Sequence, residues 1–462
     1  MIALEDLPVA VIGGGPVGLA AAAHLIARGL PVKLYEAGET VAASLRDWGH
    51  VRTFSPWQYN IDSAAEAILR RRGWRPPRSG HMPTGAELYE DYLKPLAVTP
   101  EIAGVIETGA RVTSITRRGA DKVVTMTRET KPFLLSVTNA DGTTRRDLAR
   151  VVIDASGTWR HQNPLGAGGV PAEGETEHAD RIAHGIPDVL GRDRVIYAGR
   201  RTLVIGAGYS AGNVLLDLAQ LARSSPHTAI LWVVRGNNLI RIYGGGLADQ
   251  LPARGELGGE IKALVDDGRV ELVMGFAATA VRHVDEALIL EGETAEGLRQ
   301  LGPADRIIVA TGQRPDLDLT RELRLELDPS LECPRALASV IDPNVHFCGS
   351  VPPHGHRELG HPEPGFYTVG IKSYGRAPTF LLLTGYEQVR SVVAAIAGDI
   401  KAADHVQLAL PESGVCSTAL PTANNGTGGC CGAPALPEDA CGMVNASADT
   451  GGRTGCDSGV AA

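Results

Sequence analysis

The sequence predicts an α/β fold made of two nucleotide-binding β-α-β domains, the second inserted in the first, with a disordered C-terminal tail. Two observations carry this prediction: one pattern occurs twice, and the composition changes abruptly after about residue 402. "LPVAVIGGGPVGLAAAAHLIARGLPVKLYEAGE" and "RRTLVIGAGYSAGNVLLDLAQLARSSPHTAILWVVRG" each read as an apolar strand, a glycine turn, an amphipathic helix and a second strand. Each copy has a later partner, "ARVVIDASGTW" or "ADRIIVATGQRPD", which reads as a closing strand with a small-residue turn. The expected boundaries are 1–194 for the first part of the first domain and 195–315 for the inserted domain. Residues 316–402 then return to the first domain, and 403–462 form the tail.

Bulk properties narrow the function. With 462 residues the chain is long enough for two or three domains, and a net charge of −9 offers no basic footprint for nucleic acid. Apolar runs such as "PVGLAAAAHLIA" fall short of the roughly 20 residues that span a bilayer. No membrane partner and no export signal are therefore expected, and the cytoplasm is the expected compartment. Of the seven cysteines only Cys333 and Cys348 precede residue 400, while Cys416, Cys430, Cys431, Cys441 and Cys456 crowd the end. An odd number without an export signal argues for free thiols.

In the first unit Gly13, Gly15 and Gly18 form GxGxxG directly after the strand. Gly13 permits the tight turn, Gly15 lets backbone approach a pyrophosphate, and Gly18 allows the helix to pack closely on the strand. Pro16 is pre-set for the first helical turn, which presents its positive end to phosphate. Glu36 ends the second strand, where a carboxylate accepts from ribose hydroxyls. A helix is predicted over "PTGAELYEDYLKPLA", opened by a capping box of Thr84 and Glu87 and covering this domain. The second unit places Gly206, Gly208 and Ala211 in the same positions, but Arg235 stands where the first has Glu36. A guanidinium there holds a 2′-phosphate that a carboxylate would repel, which favours NADPH over NADH. The return segment closes with a helix in "PTFLLLTGYEQVRSVVAAIAGD", opened near Pro378 and ended by Gly398. After it Gly, Ala, Ser, Thr, Pro and Asn dominate and no periodicity survives.

Together these motifs resemble the flavoproteins with two Rossmann-like, three-layer ββα dinucleotide-binding domains. The resemblance covers roughly residues 5–400 and implies FAD in the first domain and NADPH in the inserted one. It further implies cofactor contacts at Trp48, Val112, Gly157, Tyr209, Ser210 and Gly312, and at Gly349 and Ser350 in a return strand "NVHFCGS"; Arg52, Ser55 and Trp57 in "RTFSPWQYN" are candidate walls for the flavin, or else parts of a packed surface loop. Disulfide reductases of this fold carry a CxxC or CxxxxC pair against the flavin, and none occurs before residue 400. "GAGYSAGN" is similar to the NADPH loop of the flavin-containing monooxygenases, in which reduced flavin reacts with dioxygen and one oxygen atom passes to a soft nucleophile. Two departures from that branch are visible: Val189 and Val195 stand where Phe and His are expected, and Ala42 and Ala43 replace a double glycine before Trp48. The segment from "HFCGSVPPHGHRELG" to "AAIAGD", joined to "GVCSTAL" and "GGCCGAP", resembles the flavoprotein monooxygenases that accompany bacterial arsenic-resistance genes.

Candidates for the chemistry are His354, His356 and His361, in a loop expected beside the flavin, as pocket lining, proton donors or metal ligands. Cys416, Cys430 and Cys431 are candidates for metalloid capture, because thiolates are soft ligands and a flexible tether raises local concentration. The expected function is an NADPH-dependent FAD oxidoreductase that transfers oxygen to a soft nucleophile such as a trivalent arsenical. The alternatives are a flavin-dependent reductase of a thiol-bound or metalloid substrate, and a metalloid-binding flavoprotein with little turnover.

Overall fold

A parallel sheet forms where apolar runs are buried on both faces, and the first strand, Val9–Ile12, is buried throughout. The structure, a computed structural model, describes residues 3–243, 252–343, 351–378 and 380–408. Val9–Ile12 lies at the centre of a five-stranded sheet, between Val32–Tyr35 and Val151–Asp154. Ile106–Glu107 and Phe366–Thr368 form the edges, and every pairing is parallel.

The second sheet repeats this order. Arg201–Ile205 lies between Ala229–Val233 and Arg306–Val309, with Glu271–Val273 and Ile182–His184 outside. Ile182–His184 thus joins the second sheet upstream of residue 195. The edge strand beyond Val151–Asp154 in the first sheet, Phe366–Thr368, lies downstream of "NVHFCGS", whose residues 344–350 are outside the described ones.

Alternation along the strands produces three layers. Val9 and Val11 face a core of helices, whereas Ala10 and Ile12 face a separate core with Val112, Ile115, Phe133 and Leu135. Those residues belong to an antiparallel sheet of Ala110–Arg117, Phe133–Asn139 and Thr144–Ala149. The second domain is layered likewise: Val204 faces the helices, while Leu203 and Ile205 face the antiparallel sheet Ala277–Val284, Ala287–Thr294 and Gly297–Ala304. Each antiparallel sheet immediately precedes its closing strand, so both domains follow one chain path.

The first glycine turn leads into helix Pro16–Ala27, which packs against helices Ser63–Arg71 and Leu382–Ile396. The last of these begins four residues after Pro378 and is followed by Gly398 at φ +80°, a left-handed position suited to glycine. The capping box is present: Glu87 N donates to Thr84 Oγ1 at 3.1 Å and Thr84 N donates to Glu87 Oε2 at 2.7 Å. The helix does not run on as one piece. Gly85–Leu88 widens into a π-turn over Tyr89–Leu93 before Lys94–Ala97, because Pro95 has no N–H for the preceding turn. Trp74 Nε1 takes the Asp91 carbonyl instead, at 2.9 Å. Among the described residues no helix is long and apolar enough to cross a membrane.

Outside the nucleotide turns a buried charged cluster lies at Glu363. Glu363 Oε1 accepts from Arg117 Nε at 2.8 Å, and Glu363 Oε2 accepts from Arg128 Nη2 at 2.8 Å and from the Arg324 amide at 3.1 Å. All three side chains are almost fully buried, and the Arg117 guanidinium lies 3.6 Å from the Phe133 ring centroid. The cluster staples the 118–131 loop and the 320s segment to the edge strand of the first sheet.

Candidate functional site: two glycine turns joined at one seam

The two turns are built alike, and glycine is required for the same reason in each. A Cβ on Gly13, at φ +99°, would lie 2.6 Å from the Ala155 carbonyl oxygen, and one on Gly206, at φ +136°, would lie 2.2 Å from that of Ala310. A Cβ on Gly18 would lie 1.9 Å from the Gly13 carbonyl oxygen, so helix and turn touch backbone to backbone. At Gly15 and Gly208 the reverse holds, with no atom within 4 Å of the Cβ position. Both are extended N-cap residues without a side-chain cap, at the starts of helices Pro16–Ala27 and Tyr209–Ser224. This is the cradle a dinucleotide pyrophosphate requires, and the residues fit the group in both domains.

The acid and the base lie just past the second strand of their domains. Glu36 is nearly buried, accepting from Gly14 N at 2.7 Å and Gly38 N at 2.6 Å. A carboxylate has capacity beyond these two bonds, so ribose hydroxyls can still be accepted. The register matches Glu36 to Val234, so Arg235 stands one residue further on than the sequence suggested; it is exposed and donates from Nη1 to the Ala167 carbonyl at 2.7 Å.

The small-residue turns after the closing strands meet. Asn163 N donates to Gly312 O at 2.9 Å, Asn163 Nδ2 to Thr311 O at 3.0 Å, and Arg314 N to His161 O at 2.9 Å. Gly157 and Gly312 are left-handed at φ +72° and +87°. The loop 52–59 also reaches across the domains, where Phe54 sits edge-on to Tyr209, with ring centroids 5.2 Å apart. Tyr209 is the first helical residue after Gly208, Ser210 follows it partly buried, and Ala211 is fully buried against the core. Trp48 packs against Trp159, 6.5 Å between centroids, and the Trp159 indole donates to Asp47.

Other expected residues are placed less simply. Arg52 is turned away, half exposed, with Nη1 donating to the Met82 carbonyl at 2.6 Å and 3.8 Å from Glu87. Val112 is buried between the sheets, opposite Val137, just past Ala110, whose amide donates to the Glu36 carbonyl. Gly349, Ser350, Cys416, Cys430 and Cys431 lie outside the described residues.

The three histidines diverge. His354 is buried, held by Pro352 O at 3.0 Å and Gln388 Nε2 at 2.8 Å, and burial lowers its pKa. Since the Gln388 amide donates, Nε2 of His354 accepts and Nδ1 carries the proton. His356 faces elsewhere, toward Ser391 at 3.4 Å and Asp404 at 3.7 Å. His361 lies beside Phe366 and Thr368, and burial pushes its pKa down to about 4. Loop proximity in sequence thus does not become a shared centre, and among the described residues no group of three or more His, Cys, Asp or Glu is arranged to hold a metal ion. Cys333, the one cysteine among the described residues, is buried, and burial raises its pKa to about 12.

Sequence reasoning missed a buried ion pair at the first turn. Lys372 Nζ donates to Asp154 Oδ2 at 2.7 Å, both side chains essentially inaccessible. The signal was an acid ending an otherwise apolar strand, "VVID", and a lone lysine in "VGIKSYG".

Comparison with known proteins agrees with this architecture. The family model for pyridine nucleotide-disulphide oxidoreductases matches residues 7–372. The chain belongs to that family. Its members are FAD- and NADPH-dependent flavoproteins, and the cofactors are accordingly FAD and NADPH. No curated protein matches the chain. Among solved structures, bacillithiol disulfide reductase from Bacillus cereus is similar at 17% identity and TM-score 0.63, covering 85% of this chain and 99% of that one. Cadaverine monooxygenase DfoA from Erwinia amylovora is similar at 13% identity and TM-score 0.58, over 90% and 99% of the two chains. A flavin monooxygenase from Stenotrophomonas maltophilia, in a mutant form, is similar at 21% identity and TM-score 0.54, over 85% and 98%. At these identities the likeness is one of fold, and reductases and monooxygenases share it.

Proposed function

We propose that this flavin-dependent oxidoreductase is an NADPH-dependent monooxygenase acting on a soft nucleophile, with a trivalent arsenical as the substrate class. The observation that carries the choice over a dithiol reductase is the cysteine distribution. Dithiol relay needs a close pair with an accessible thiolate, but no CxxC or CxxxxC precedes residue 400 and Cys333 is buried with its thiol held protonated. Bound FAD supplies two-electron redox chemistry and, when reduced, reactivity toward dioxygen.

The chain's own residues supply position. The amides of the Gly13–Gly18 turn and the Glu36 carboxylate hold one nucleotide, those of the Gly206–Ala211 turn and Arg235 the other, and the 155–163 and 310–314 turns fix one relative to the other. The overall reaction would balance as NADPH, a proton, dioxygen and substrate giving NADP+, oxygenated product and water. Cys416, Cys430 and Cys431 serve in this reading to collect the thiophilic substrate.

Arsenite added in air is expected to accelerate NADPH oxidation and to yield arsenate, with no turnover under argon. Turnover that completes under argon supports the reductase reading, and no response to arsenite removes the substrate assignment. Substitution of Arg235 by Ala is expected to raise KM for NADPH about tenfold, with KM for NADH nearly unchanged, as for loss of one charge-assisted bond. An equal effect on both coenzymes would show that Arg235 does not meet the 2′-phosphate.

A further inference from the structure

The Asp154–Lys372 pair is unusual for what it is wired to. Taking a carboxylate and an ammonium out of water costs several kcal/mol each, so such a pair needs every remaining donor and acceptor used well. Asp154 ends the closing strand of the first sheet, and Lys372 lies in the 3₁₀ turn Gly370–Tyr374. That turn touches the phosphate-binding helix, because a Cβ on Gly370 would be 3.4 Å from Val17, while the Gly370 amide donates to Gln388 Oε1 at 2.7 Å.

Ser156 connects the pair to the outside. Its hydroxyl donates to Asp154 Oδ1 at 2.6 Å and accepts from Lys372 Nζ at 3.1 Å, while the residue itself is exposed. Its Cα lies 2.8 Å from where a Cβ on Gly13 would sit, so the residue borders the first glycine turn while its hydroxyl meets the buried pair.

The count of protons and lone pairs then fixes what Ser156 can bind. A serine hydroxyl has one proton and two lone pairs. Asp154 takes the proton and Lys372 one lone pair, leaving a single acceptor site. An ordinary exposed serine rotates to suit donor or acceptor alike; this one is committed.

We propose that Ser156 is a ligand contact of the first nucleotide site, accepting a hydrogen bond from a donor group of FAD, and that Lys372 is the positioning residue that fixes its polarity. The proposal rests on the assignment of FAD to the first turn and adds the class of group recognised there. Asp154 holds the serine proton and Lys372 prevents the hydroxyl from turning, so Lys372 acts through Ser156.

The test is titration of the full-length apoprotein with FAD, following the visible flavin band, for the wild-type chain and for S156A, K372M and the double variant. S156A is expected to weaken FAD binding about tenfold and to shift the flavin band, with the thermal midpoint of the apoprotein unchanged. K372M is expected to weaken it at least as much, and the double variant no more than K372M alone. An S156A chain that binds FAD within about twofold of wild type, with an unshifted band, overturns the contact. Effects of the two substitutions that multiply in the double variant overturn the positioning role. Should K372M not fold, K372Q decides the positioning role: glutamine removes the charge, so an S156A effect undiminished in that background overturns it and a diminished one supports it. A wild-type chain that binds no FAD at all would instead remove the first-turn assignment itself, so the two failures are distinguishable.

Discussion

The Gly18→Val chain is expected to purify colourless. Any side chain at residue 18 starts with a Cβ 1.9 Å from the Gly13 carbonyl oxygen, and because that atom is backbone the turn has to open. Opening it moves the amides that face the pyrophosphate, so FAD affinity should fall at least about a hundredfold, equivalent to about 2.8 kcal/mol. The informative control is Gly206→Val, whose Cβ would meet the Ala310 carbonyl oxygen at 2.2 Å. That chain should remain yellow but lose NADPH-driven flavin reduction. Flavin absorbance after gel filtration and anaerobic reduction by NADPH check both outcomes. The opposite pairing of phenotypes would exchange the two cofactor assignments.

Glu363→Ala should be the most destabilising single change among the buried charges. It leaves Arg117 and Arg128 without their shared carboxylate in a region that is almost inaccessible to water. Breaking a buried pair in this way costs about 3–5 kcal/mol, readable as a lower urea midpoint at unchanged slope. The pH dependence has a definite sign. Burial alone would raise the Glu363 pKa, but hydrogen bonds from Arg128, Arg117 and the Arg324 amide hold it below the usual carboxylate value. A depressed native pKa means the unfolded chain binds the proton first. The stabilisation is therefore complete above the ordinary carboxylate pKa and is lost as pH falls through the native one. The stability gap between wild type and E363Q should accordingly be widest near neutrality and shrink in acid.

How much of this was legible in the sequence depended on how local each feature is. The glycine turns, Glu36 and the capping box were readable because a few adjacent residues decide them. Repetition of "VIGGG" and "VIGAG" gave the two domains, since a central parallel strand must be apolar on both faces. The break at Pro95 was visible as a proline, but its repair by Trp74 links it to Asp91, 17 positions away, and could not be read locally. Likewise His354, His356 and His361 are close in sequence, yet Gln388, Ser391 and Phe366 draw them to different places. Lys372 and Asp154 are 218 residues apart, and only the pairing of Phe366–Thr368 with Val151–Asp154 brings them together.

The two turns differ in how ready they stand. Glu36 is already clasped by the amides of Gly14 and Gly38, so on the proposed assignment receiving a ribose freezes almost no additional motion, whereas the exposed Arg235 has its long side chain still to order on a phosphate. One pocket is furnished for a permanent tenant and the other for a guest that arrives, delivers and departs. On the proposed assignment the chain keeps its flavin through many rounds while exchanging spent nicotinamide after each.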